Sequence, residues 1–156
     1  MAQPDRETVY AALLTLLTGA LGPVSGGGNG SFQTVTRRFL TITNSKDANA
    51  PYLIQVQKHE KSDTIKGLPT VHTYSVDLLI YIAYGFGDDV VPDTALNTLV
   101  TAVEGAVKPS LVTGFQQLGI PVSSVVVNGQ IEYDNMTGTT GDWGLALVPL
   151  EIVANY

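Results

Sequence analysis

Cysteine is absent from the sequence. Its absence excludes disulfide scaffolds, thiolate zinc sites and cysteine nucleophiles. Histidine is nearly absent too, with only His59 and His72. Both fall at or beside strand-like segments with no second ligand at close spacing, so they read as surface or strand-edge side chains. Charge is sparse, at 14% of residues against 44% apolar. A chain with so few charges leaves much neutral surface that is easy to bury against a partner. No run approaches the roughly 20 apolar residues that a membrane span needs. The start, MAQPDRETVY, carries acids and a proline where a signal peptide carries basic residues, so no membrane association and no export address are expected. The patterns G-x-S-x-G, H-E-x-x-H and Walker A do not occur. No catalytic constellation, cofactor site or metal site emerges, and the expectation is a non-enzymatic protein.

The 156 residues fit a single domain. Net charge is -6, unevenly placed. Residues 1–68 hold seven of the eight Lys/Arg and five of the acids; residues 69–156 hold Lys108 and nine acids. The first half is therefore mildly basic and the second strongly acidic, which excludes a general nucleic-acid-binding footprint. The split suggests head-to-tail electrostatic complementarity or an acidic channel wall, beside the simpler reading of a solvated acidic surface.

Periodicity then orders the chain. Val9, Leu13, Leu16, Leu17 and Ala20 recur at helical spacing and predict a helix over 5–18, with Asp5 and Glu7 at its positive end. Residues 22–31 are dense in glycine and read as a flexible loop. That loop follows a helix and leads into a strand-like segment, the reverse of a phosphate-binding loop. Residues 32–43 favour strand, with Phe39 inward and Arg38 outward. Residues 52–58 alternate, which sets Ile54 and Val56 against a wet face of Gln55 and Gln57. Residues 59–69 read as an extended connection or hairpin tip. In residues 71–84 both faces become apolar, which marks a central strand covered on both sides. Leu96, Leu99, Val100, Val103 and Val107 form the stripe of a second helix over 92–107. Asn128-Gly129 between two apolar runs predicts a hairpin. A last strand covers 143–153, where Pro149 argues for an edge or a bulge. The fold class expected is α+β: a mostly antiparallel sheet of about five strands with two main helices on one face.

The second half carries a recognisable order. A strand ends in Leu79-Ile-Tyr81, and a proline-led helix holds Ala95-Leu-Asn97, Leu99 and Ala102-Val-Glu104. Leu118-Gly119 follow, then a valine strand, Asn128-Gly129-Gln-Ile131, a Gly-rich loop and Leu147-Val-Pro-Leu-Glu-Ile-Val153. Over about residues 50–156 this resembles the tail-terminator, or tail-completion, family of long-tailed bacteriophages. The resemblance implies a structural virion protein of the tail and neck, assembled in the host cytoplasm. It implies a ring, usually of six subunits, at the head-proximal end of the tail tube. It also implies contacts with the tail-tube protein and with a head-completion or connector protein, and DNA passing through the lumen without specific binding. Related neck and minor tail proteins share the fold, and a small-ligand binding module is the alternative from another class.

Two groups of residues are candidates for such contacts. Arg37, Arg38, Lys58, Lys61 and Lys66 would form a subunit or ring interface, since arginine in particular suits carboxylates across an interface. Asp88, Asp89, Glu132 and Asp134 would form an acidic channel or ring face. Asp88 and Asp89, with Asp93, also have the oxygen chemistry of a hard-cation site, against the plainer reading of a solvated turn.

Overall fold

The computed structural model describes residues 5–38, 50–64, 66–67, 70–85, 92–108, 118, 123–137 and 141–155. Helix α1 spans Arg6–Leu21. Asp5 caps it, its side chain accepting from the Glu7 amide at 3.4 Å, and Gly22-Pro23 end it. Gly19 does not interrupt it. Strand β1 is short, Thr34–Thr36. Strands β2, Tyr52–Asp63, and β3, Val71–Gly85, form a long hairpin. Helix α2 spans Pro92–Val107. Strands β4, Ser123–Val127, β5, Glu132–Thr137, and β6, Gly141–Asn155, complete the chain.

The six strands make one sheet in the order β1-β2-β3-β6-β4, with β5 also on β6. Among the described residues all pairings are antiparallel except β1 with β2, which is parallel. The fold is therefore α+β as expected, with a sheet that is mostly antiparallel but mixed, of six strands among the described residues where about five were expected.

Both helices pack on the same sheet face. Val9, Leu13, Leu17 and Leu21 of α1 meet the five predicted stripe residues of α2 and the even-numbered residues Tyr74–Ile82 of β3 and Ala146–Ala154 of β6. The opposite face, free of helix among the described residues, carries a smaller cluster. Tyr52, Ile54 and Tyr81 are buried there, with Leu79, Trp143 and Leu145 packed around them. β3 is thus apolar on both faces at its C-terminal half, as its sequence pattern requires.

Three local expectations are corrected. Gln55 is not wet: it is 3% exposed, and its Nε2 donates to the Tyr10 carbonyl at 3.0 Å. Register explains this. Leu53 pairs with Ile80 and Gln55 with Leu78, which sets both on the helix face, while Ile54 faces the other cluster. The glycine-rich segment 22–31 is a compact hydrogen-bonded turn rather than a loose loop: Val24–Gly26 form a 3₁₀ turn, Gly30 N donates to Gly22 O at 2.9 Å, and Phe32 N to Leu21 O at 2.9 Å. A Cβ on Gly28 would stand 2.2 Å from the Gly22 carbonyl oxygen, so glycine there permits a close backbone approach. The third correction concerns Asn128-Gly129. β4 and β5 do not pair with each other; both line the same side of β6 in succession.

Pro149 explains that arrangement. In an antiparallel strand the N–H and C=O of one residue point to the same side. The Pro149 carbonyl accepts from Asn128 N at 3.0 Å, so its missing N–H also points toward the β4–β5 side. The chain breaks there: β4 ends with Val127 opposite Leu150, and β5 begins with Glu132 opposite Leu147. The ladder to β3 runs through Asp77↔Pro149 without a break. Proline therefore sits in an interior strand, and its cost falls on the neighbour, which is split in two.

Candidate interaction edges of the sheet

The β2–β3 hairpin projects its end as an arm. Beyond Ile54, β2 loses β1 as a neighbour, and among the described residues no strand pairs with its outer side from Gln55 to Asp63. Register with β3 shifts between Gln57 and His59, so Lys58 is the extra residue of a bulge. Lys58 Nζ reaches Asp77 at 3.0 Å, and His59 Nε2 meets Ser75 Oγ at 3.0 Å. Asp77 and Ser75 are odd-numbered residues of β3, so Lys58 and His59 both stand on the helix-free face. Lys61, opposite Thr73, shares that face and lies 2.9 Å from Asp63. That bond holds the Lys61 ammonium above its ordinary range, first through the hydrogen bond and then through the charge of Asp63. Lys66 lies in the exposed tip. His72 Nδ1 meets Ser62 Oγ at 2.9 Å, so both histidines sit in cross-strand pairs of the arm.

The arm is anchored by the start of α1. Arg6 Nε donates to Glu60 Oε2 at 2.6 Å, and the Tyr10 hydroxyl donates to Glu60 Oε1 at 3.2 Å. Tyr10 also packs edge-on against Tyr74, with centroids 5.7 Å apart. Burial, and after it the adjacent Glu60 carboxylate, push the Tyr10 hydroxyl up to about 12. Nothing in the local sequence marks this network, because Glu60 lies about 50 residues from Arg6 and Tyr10.

Arg37 is not held by a strand, since β1 ends at Thr36. Its guanidinium binds Glu7 through both carboxylate oxygens and lies over the Tyr10 ring at 5.8 Å. Arg37 donation draws the Glu7 carboxyl below its ordinary range. The carboxylate expected on a neighbouring subunit is thus supplied within the chain. Arg38 is exposed, its amide donating to Thr36 Oγ1 at 3.0 Å. Arg37, Gln55, Val56 and Gln57 line a groove of about 320 Å³ along the start of the free edge. Gln55 Oε1, fully buried, meets no donor among the described residues.

The opposite edge is β4 and β5, whose outer sides meet no strand among the described residues. Glu132 pairs across to Leu147 and Asp134 to Leu145, odd residues of β6 that share the helix-free face with Tyr81. Both acids are exposed, and Tyr133, on the helix side, is 47% exposed. The structure thus brings Lys58 and Lys61 together at one edge and Glu132 with Asp134 at the other, on the same face. Asp88, Asp89 and Phe39 lie outside the described residues. Among the described residues there is no cluster of three potential metal ligands, and no helix is long and apolar enough to cross a membrane. Comparison with known protein families and with curated proteins returns no match for this chain.

Proposed function

We propose that this protein is a non-enzymatic structural subunit of a long-tailed phage virion, of the tail-terminator type. Its copies join head to tail into a ring, six by the resemblance, on the head-proximal end of the tail tube. The ring stops tube growth, presents the surface that receives a head-completion or connector protein, and leaves a lumen through which DNA passes without specific binding. Assembly takes place in the host cytoplasm.

One observation carries the reading: on the helix-free face of a single sheet, Lys58 and Lys61, each bridged to an acid of its own chain, stand along one edge and Glu132 and Asp134 along the other, and neither edge has a further strand neighbour among the described residues. A surface that complements a different surface of its own copy generates a heterologous contact, which closes into a ring when the rotation permits. The resemblance over residues 50–156 supports the station in the virion, and the two sheet edges support head-to-tail joining of copies. Solution mass by light scattering, with negative-stain images of the protein alone and mixed with purified tail tubes, tests it. Rings, or tubes with capped ends, are the expected result. A chain that stays monomeric and leaves tube ends bare overturns it.

A further inference from the structure

We infer that the subunits join by strand addition: the free outer edge of β2 pairs antiparallel with the outer edge of β5 of the next copy, with Lys61 opposite Glu132 and His59 opposite Asp134. The inference rests on the head-to-tail ring reading and specifies its contact.

Strand direction is the first argument. β2, β3, β6 and β5 alternate in sense. A second copy placed beside β5 by a rotation that keeps strand sense presents its β2 running opposite to β5, so the antiparallel alternation continues across the boundary. Keeping the helices of both copies on one side is the second argument. It brings the helix-free faces into line, and on that face stand Lys58, His59 and Lys61 of one edge and Glu132 and Asp134 of the other. Directly opposed side chains of opposite charge support a pairing, and like charges oppose it. With Lys61 opposite Glu132, Asp134 meets His59 and the bulged Lys58, while Asp63 falls beyond the end of β5. The alternative of Lys61 opposite Asp134 sets Asp63 against Glu132 and is disfavoured. On the helix side the same register places Tyr133 opposite Glu60.

Geometry is the third argument. Within one chain Glu132 is level with Ile54, through Leu147 and Leu79, whereas Lys61 is level with Thr73. The contact therefore steps each copy by six residues of β3, about 20 Å along the strands, over four strand spacings of about 19 Å. That slope is close to the upper end of the roughly 35–45° strand tilt of closed sheets. Finally, β2 retains an edge nine residues long that no strand covers among the described residues. Exposed edges are templates for pairing, and the register given above is the one that sets no acid of this edge against Glu132 or Asp134.

The absence of native cysteine makes the test direct. In the full chain carrying Lys61→Cys and Glu132→Cys, the two thiols of one copy are at least three strand spacings apart, about 14 Å, beyond the ~7 Å Cα limit of a disulfide. Oxidation of material assembled alone or on tail tubes is expected to give a ladder of linked species ending at the ring number, while each single variant stays unlinked. Dimers from Lys61→Cys alone would mean an isologous β2–β2 contact and overturn the inference. Rings visible in negative stain without a ladder overturn strand addition and leave the ring reading standing. No assembly of the unmodified chain removes both. A charge swap guards against a variant that merely misfolds. Lys61→Glu and Glu132→Lys should each weaken assembly by roughly tenfold, and the two together should restore most of it; failure to restore counts against the register.

Discussion

Gly129 stands with its α-carbon against the ring of Pro149, in a backbone conformation of φ 132°. A Cβ placed there would lie 2.9 Å from Pro149 Cγ. Both facts demand glycine: the dihedral is one that L side chains avoid, and the space is already filled. The residue carries the chain over the point where β6 offers no N–H, from the end of β4 to the start of β5. Gly129→Ala should therefore destabilise the fold by about 1–3 kcal/mol. The check is a urea midpoint that falls while the slope of the transition is unchanged.

Elements with a strong period were legible in the sequence. The five stripe residues of α2 are all buried, and the two apolar faces of β3 are the two clusters of the structure. What was not legible depends on contacts distant in sequence. Asn128-Gly129 carries the local signature of a hairpin, yet Pro149, twenty residues on, divides the two strands. Gln55 reads as wet by alternation, but burial on the helix face is decided by register with Leu78. At the candidate site the charged residues were visible one by one. That Lys61 and Glu132 lie on one face at opposite edges follows from the order β2-β3-β6-β5, which no local pattern states.

The Arg37–Glu7 pair separates folding from assembly. Because the partner of Arg37 lies within the chain, Arg37→Ala should lower the stability of the subunit and leave ring formation at its usual concentration. The guanidinium is mostly covered, yet Glu7 is exposed, so the loss should be small. Thermal melts and light scattering on the same sample check it. An assembly defect without a stability change would return Arg37 to the interface.

The same pair has a pH signature. The folded Glu7 carboxyl titrates below its unfolded value of about 4.3, so its contribution to stability is whole above that value. It is lost as pH falls through the lower, folded value, because the unfolded chain takes up the proton first. Glu7→Gln should therefore flatten the acid limb of a stability–pH curve and leave the curve's shape above about pH 5 unchanged. Urea midpoints across the acid range measure this directly.

Tyr10 gives the alkaline counterpart. Its hydroxyl is raised to about 12 from about 10 in the unfolded chain. Stability from this group is whole below about 10 and declines between the two values, since the unfolded chain then loses its proton while the folded Tyr10 keeps it. Tyr10→Phe removes the hydroxyl and its bond to Glu60. It should cost about 1 kcal/mol at neutral pH and shift the alkaline unfolding midpoint upward, read by circular dichroism.

Gln55 provides the last test, because one side chain holds both a buried hydrogen bond and a buried acceptor without a donor. In the isolated subunit its Nε2 bond to the Tyr10 carbonyl is offset by a buried Oε1 without a donor. A buried acceptor left unsatisfied costs about 1–3 kcal/mol, comparable to or larger than what one neutral hydrogen bond returns. Leucine has similar bulk and buries no polar atom. Gln55→Leu should thus leave the subunit within about 1 kcal/mol of its original stability, or raise it. The Oε1 is sealed from the β2 edge, so the same substitution should leave assembly at its usual concentration. A chain that loses several kcal/mol instead would show that the Nε2 bond holding α1 to the sheet outweighs the unsatisfied acceptor. Denaturant midpoints and light scattering on one preparation distinguish the two outcomes.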